Sequence, residues 1–327
     1  MKKPSLALSA VLLFAFGTVV SSAATHRVLI RTTDGKTIEG DTNLEGVNVA
    51  SADEISLDRL LSFHSAAPAS PDEAQRIEAG LAAIKGEERM ARDKAVEELT
   101  SIGLPVLTPL LETLKDTLQE EPRPLYRLFE RIIPSYADGF DRTLSLVRLQ
   151  DGKTGRVALA NKGKIDLKGV DGKSRKISWS DVRMLAVRQD RVERTSVQVH
   201  ALKHCKQIEY LDTGMILSND SKVESTARGF ARLSWHRDSW ASDPNGLTKP
   251  GSPKFDRDWE GHPFGSLIGR VTASGDLFFL GKNASKSGLG SGRLSMAIND
   301  NTHWQNNVGT FYVDMSATNA YDLGDAQ

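Results

Sequence analysis

Between residues 300 and 307 the chain reads Asp-Asn-Thr-His-Trp-Gln-Asn-Asn, which offers Asp300, Asn301, Thr302, Asn306 and Asn307 as oxygen donors within one short loop. Hard oxygens at this density suit Ca²⁺, which takes roughly six to eight carboxylate, carbonyl and hydroxyl ligands. A single carboxylate is thin charge for a divalent ion, so the expected affinity is weak, about 10⁻⁴ to 10⁻³ M as in extracellular modules. The same residues also suit tight turns in which Asp and Asn side chains bond to backbone. Trp304 lies inside the loop, where its face could stack on the C–H surface of a sugar.

Other chemistry is sparse. His200 and His204 stand four apart with Cys205 alongside, as a helical zinc pair would. However, the segment alternates like a strand, which puts the two rings on one face but well apart, and no Glu sits in the H-E-x-x-H register. There is no phosphate-binding loop, dinucleotide fingerprint or nucleophile elbow. The expectation is a protein that is not an enzyme. One cysteine in 327 residues excludes an intramolecular disulfide framework.

The elements that must position the loop are read from texture. With 39% apolar and 26% charged residues the chain has an ordinary globular composition, and its length suits two or three domains. Residues 1–24 carry Lys2 and Lys3, an apolar run from Leu6 to Val20, and small residues at Ser22, Ala23 and Ala24. They read as a secretory signal peptide, so the protein is expected to be secreted or periplasmic, with no transmembrane segment. Residues 25–66 alternate apolar and polar about Asp34-Gly35, a hairpin signal. Residues 150–190 repeat that texture, again with Asp-Gly-Lys turns and an Ile-Ser pair (Ile55-Ser56, Ile177-Ser178). Together they read as a duplicated small β module. Residues 70–149 between the copies are helical. There Ala95, Leu99, Ile102, Val106, Leu107, Leu110 and Leu114 recur at helical spacing, broken at Gly103 and Pro105. This insert resembles a single HEAT repeat over residues 88–116, a unit that needs neighbours to bury its face and so could take a protein partner.

Total charge is balanced, 42 basic against 42 acidic residues, but locally uneven. Asp141 to Lys206 holds 16 Lys/Arg against 7 Asp/Glu, and Asp72 to Arg123 holds 7 against 12. The two stretches either complement each other inside the chain or leave a basic surface for an acidic polymer. Trp179 is the only aromatic in the basic stretch, too little stacking surface for a nucleic-acid partner.

Residues 196–316 turn to short strands separated by Gly, Asn, Asp and Ser, at β-sandwich spacing. In order they carry Asp212-Thr213-Gly214, "ARGFARLSW", "DPNGL" at Asp243 to Leu247, "GSLIGRV" at Gly265 to Val271, and "GRLSMAINDNTHWQNNVGTFYV" at Gly292 to Val313. This stretch resembles the LecA-like, calcium-dependent galactose-binding lectins of bacteria. The resemblance implies a C-terminal jelly-roll β-sandwich of galactose-binding-domain type. It implies Ca²⁺ as a cofactor on Asp300, Asn306 and Asn307, with Thr302 as the loop hydroxyl. A backbone carbonyl falls near Leu233 or Ser234. The family's sugar-contacting His-Pro-Asp-Gln aligns with "SDPNG", which matches neither the His nor the Gln and leaves Asp243 and Asn245 to bond sugar hydroxyls beside Asn301 and Trp304.

The sequence therefore predicts a mainly β, multidomain protein, its sandwich followed by a tail at 317–327. The expected function is exported binding of a glycan or cell-surface polysaccharide. The alternative is a non-enzymatic cell-envelope scaffold that takes a protein partner through the helical insert.

Overall fold

The computed structural model describes residues 25–50, 54–86, 88–116, 125, 128, 132, 144–206, 209–233, 241–247, 261–300 and 307–324. The expected signal peptide lies outside them. Among them no helix is long and apolar enough to cross a membrane.

Three Asp-Gly-Lys tripeptides build three identical turns. The glycines Gly35, Gly152 and Gly172 sit at φ 80°, 81° and 77°, where a side chain would be strained. In each turn the aspartate's Oδ1 accepts the N–H of the lysine two residues on. The turns join β1 (His26–Thr32) to β2 (Thr37–Thr42), β6 (Ser145–Leu149) to β7 (Thr154–Val157), and β8 (Lys164–Gly169) to β9 (Ser174–Ser178). A short pair, β3 (Gly46–Val47) and β4 (Ile55–Ser56), leads through a 3-10 turn, Leu57–Arg59, into β5 (Leu60–His64). In the same way β9 leads through Trp179–Asp181 into β10 (Val182–His200).

The two copies exchange strands. β1 of the first copy pairs with β10 of the second (Ile30↔Leu185, Arg31↔Met184), and β6 of the second pairs with β5 of the first (Val147↔Phe63, Arg148↔Ser62). Each pairing has its register shift at the same place, next to Thr32↔Val182 and next to Leu60↔Leu149. β5 and β10 then pair with each other about Phe63↔Leu185. The result is a pseudo-twofold module around one core that includes Ile30, Leu57, Phe63, Val147, Trp179 and Leu185. A single copy has too few strands to hold alone, and the exchange makes each complete the other.

The insert forms α1 (Pro71–Lys85), α2 (Arg89–Ile102) and α3 (Leu107–Asp116). α2 stops at Gly103, and Pro105 opens a 3-10 turn before α3. All seven apolar residues expected on the helical face are buried, with Leu125, Leu128 and Ile132 in the same cluster. Ser70 and Glu73 close a capping box at the start of α1. Glu73 also meets Arg183 of β10, with Nε to Oε1 at 2.6 Å and Nη2 to Oε2 at 2.5 Å. Arg183 spends its remaining donors on the carbonyls of Ala67 and Pro68. The acidic and basic stretches thus complement each other here inside the chain.

The remaining described strands are antiparallel: β11 (Leu211–Arg232), β12 (Ala241–Asp243), β13 (Gly246–Leu247), β14 (Leu267–Val271), β15 (Leu277–Phe279), β16 (Asn283–Ser287), β17 (Gly292–Ile298) and β18 (Val308–Asp322). The main sheet runs β15-β14-β17-β11-β18-β10-β1-β2-β8-β9. β10 crosses the stretch between 190 and 196 where one texture gives way to the next. Its first residues pair with β1 and β5, and from Arg188 onward it pairs with β18. It bends at Ser196, φ 53°, whose N–H is held by Asp314. No glycine or proline interrupts it, so the chain bulges rather than stops. The C-terminal strands bury a second apolar core that includes Val199, Met215, Phe264, Leu294 and Phe311. The protein is mainly β and multidomain, with a small helical part.

The Glu73–Arg183 pair gives a direct test. Removing one partner strands a buried charge, so Glu73→Ala or Arg183→Ala should cost about 3–5 kcal/mol in denaturant unfolding. Burial alone would raise the Glu73 pKa, but the bonds from Arg183 and Ser70 outweigh it and hold it below the ordinary value. Its contribution is therefore full above pH about 4.3 and falls away as pH drops through the depressed native value. The stability gap between wild type and Glu73→Gln should narrow over that acid range.

Candidate functional site

Asp300 and Asn307 flank the loop between β17 and β18, and both are buried, 1% and 2% exposed. The strand end before them is pinned through Asn299. Its N–H donates to the Ser266 carbonyl at 2.9 Å, its carbonyl accepts from Gly265 at 2.7 Å, and its Nδ2 donates to His262 and Pro263 carbonyls. Asn307 Nδ2 donates to Asp300 Oδ2 at 2.5 Å and to the Ala201 carbonyl at 3.2 Å. Its Oδ1 is buried and accepts nothing. An unsatisfied buried carbonyl costs about 1–3 kcal/mol, and this one belongs to a side chain already bonded to a buried carboxylate. Carboxylate and carbonyl oxygen together are the hard donor set of a Ca²⁺ site, so the residues present fit that ion. Among the described residues no cluster of three His, Cys, Asp or Glu could hold a metal. Asn301, Thr302, Trp304 and Asn306 lie outside the described residues, as does Ser234. Leu233 is buried just beyond β11.

Asp243 and Asn245 come to the same end of the sheet. Asn245 bridges to Ser266, the residue whose carbonyl holds Asn299. Their oxygens are already engaged. Asp243 Oδ1 accepts the Asn245 N–H at 2.8 Å and Oδ2 meets Lys282 Nζ at 2.7 Å. Asn245 Oδ1 accepts the Lys282 N–H at 2.8 Å. They brace the chain before β16, and this bracing is the role their geometry displays.

The expectation that His200 and His204 stand well apart is corrected. β10 ends at His200, and a turn folds His204 back until the His200 N–H donates to His204 Nδ1 at 3.1 Å, with ring centroids 5.8 Å apart. His200 Nδ1 bonds Thr310 Oγ1 at 2.9 Å. One nitrogen of each ring is thereby committed within the fold. Cys205 is buried.

Four large apolar side chains lie exposed near this end of the sheet. Phe230, Tyr312, Val308 and Leu202 are 58%, 39%, 50% and 47% exposed. Phe230 pairs with Thr310, and Arg228 with Tyr312, on the outward face of β11 and β18. Val308 directly follows Asn307, and Leu202 follows Ala201, whose carbonyl Asn307 holds. Exposed apolar side chains, with Arg228 lying 6.0 Å over the Tyr312 ring, therefore line the face of the strand that starts at the buried oxygen pair. The signal was present in β11, where alternation sets Phe230 on the same face as Arg228 and Arg232, outside the core.

No protein-family model and no curated protein matches the chain. A solved structure described as an EclA N-terminal domain, PllA-like lectin, is similar over 38% of this chain and 95% of its own length, at 18% identity and a TM-score of 0.27.

The bracing role has its own test. Asp243→Ala and Asn245→Ala should each lower stability by about 1 kcal/mol in equilibrium unfolding. Phe230→Ala, on the exposed face, should stay within about 0.5 kcal/mol of wild type.

Proposed function

We propose that this is an exported, non-enzymatic carbohydrate-binding protein whose ion and glycan site lies at the Asp300–Asn307 end of the C-terminal sheet. The observation that carries the reading is the unsatisfied Oδ1 of Asn307, buried beside the Asp300 carboxylate in an oxygen-rich loop. Asp300, Asn306, Asn307 and Thr302 would hold a Ca²⁺ ion. Bound there, the ion would offer open coordination positions to sugar hydroxyls. Phe230 and Tyr312 supply what such an ion lacks, flat apolar area for the C–H face of a pyranose. The Lys2-Lys3 and Leu6–Val20 pattern supports export. The described part of the helical insert turns its apolar face inward and ties its acidic residues to β10 and to β14, which favours the glycan reading over a partner-binding scaffold.

Two measurements test this. Ca²⁺ at about 100 times its Kd should add about 2.7 kcal/mol to the full chain, seen as a rise of several degrees in unfolding temperature that a chelator reverses and Asp300→Asn abolishes. No shift up to about 10 mM Ca²⁺, above the range of extracellular modules, would remove the ion from the proposal. On a glycan array, Phe230→Ala and Tyr312→Ala should lose about tenfold or more in binding while unfolding at the wild-type temperature. Unchanged binding in both would dismiss that face as a sugar contact.

A further inference from the structure

The N-terminal sheet has a second face, opposite its apolar core, and that face is rich in arginine. Directly paired residues share a face, so one cross-strand row reads Arg31, Met184, His64, Leu146, Arg156. The next row reads Leu29, Ala186, Ser62, Arg148. The helical insert covers the Leu146 side, and Ile216, Tyr321 and Leu323 cover Leu29, Met184 and Ala186. His64 and the arginines lie in the seam between these covers. Arg293 of β17 joins them from the sandwich. After burial, the influences on His64 are Arg293, Arg148, Arg31 and Arg156, all pressing its pKa down, to about 3. Four guanidiniums from four strands thus converge on one neutral imidazole. All five residues are half-buried.

Among the described residues the seam is short of anions. Arg31 makes one long bond, Nε to Thr37 Oγ1 at 3.5 Å, and Arg148 one of 3.4 Å to the Leu323 carbonyl. Among the described residues neither has a carboxylate within ion-pair distance. Of the nearby acids, Asp212 pairs with Arg293 at 2.7 Å and Glu98 with Arg76 at 2.9 Å, while Glu97 accepts the Ala273 N–H at 2.7 Å and acts on Arg31 only from a distance. In the same row as Arg148, the Ser62 hydroxyl is fully buried and makes no hydrogen bond. Arg31 and Arg148, with unspent donors beside a buried unpartnered hydroxyl, form a receptor lacking its anion.

We propose that this seam binds a small tetrahedral oxyanion of the phosphate or sulfate class on Arg31, Arg148 and Arg293, with Arg156 at the end of the row. Arginine forks match such oxygens bidentately. Arg31 and Arg148, neither paired with a carboxylate among the described residues, favour a doubly charged group over a single carboxylate. The site draws on the β module, and its occupant would tie that module to the sandwich through Arg293. It is independent of the proposed glycan site.

The test uses the full chain in buffers of equal ionic strength, with inorganic phosphate or sulfate replacing chloride. The unfolding temperature of the wild type should rise by several degrees and saturate in the millimolar range, and Arg148→Gln should lose that response. In chloride alone Arg148→Gln should be at least as stable as wild type, because it removes one charge from a crowded set. Equal unfolding temperatures in phosphate, sulfate and chloride would overturn the proposal without any variant. So would an Arg148→Gln protein that is destabilised yet keeps the full response. Competition by dextran sulfate, but not dextran, against phosphate would identify an ester on a polymer as the source. Saturation by inorganic phosphate with no such competition would identify a free anion.

Discussion

A guanidinium moved out of water must recover its donors from the protein, and Arg183 does so almost entirely at one junction. It faces the Glu73 carboxylate and two backbone carbonyls just ahead of α1, with 2% and 0% of the two charged side chains exposed. Neither charge is tolerable alone in such a place. Three structures must therefore form together: the capping box that starts α1, the turn at Ala67 and Pro68 that delivers the chain to it, and the opening residues of β10. Because β10 also completes the first β copy and then serves the sandwich, one ion pair sits at the root of all the main parts.

That placement explains why the domains are not beads on a string. A linker between modules would appear as a run of glycine, proline or small polar residues, and β10 has none. Its first turn of sequence belongs to the pseudo-twofold core and its last to the sandwich core. The bulge at Ser196 supplies the change of direction a linker would otherwise give. α2 adds a second tie, with Arg270 donating to Asp93 while its guanidinium stacks 3.7 Å from the Tyr210 ring. Motion of the sandwich relative to the module must strain a strand, a helix contact and a cation–π stack together.

Local signals in the sequence were readable because local physics decides them. Asp-Gly-Lys fixes a turn wherever it falls, so the hairpins could be placed. A repeated order of turn, strand and Ile-Ser pair betrayed the duplication. Gly103 and Pro105 mark the break between α2 and α3 for the same reason. What stayed hidden depends on partners distant in sequence. Nothing in either copy says that β1 will pair with β10 rather than stay with its own β5. The alternation through His200 signals a strand but not where it ends, and the turn after it sets the distance to His204. At the candidate site, Asp300 and Asn307 were legible from composition. The engagement of Asp243 and Asn245 was not, because Lys282 approaches from a strand connection that no spacing announces.

The polar groups of this protein sort themselves by whether their bonds close. The carboxylates of Asp243 and Glu73, the side-chain carbonyl of Asn245 and the guanidinium of Arg183 are engaged, and each fixes a piece of backbone. Asn307 and the Arg31–Arg148 pair are different. One is a buried acceptor with no donor, the other two cations with no carboxylate partner among the described residues. Folding normally eliminates such groups, since each costs free energy that a better-paired residue would save. Asn307 stands just before β18, and Arg148 reaches the Leu323 carbonyl just past its other end. A buried oxygen without a donor calls for a cation, and crowded guanidiniums call for an anion. The complementary deficits therefore point to two ligands of opposite charge, each completing a bond network that the chain leaves open.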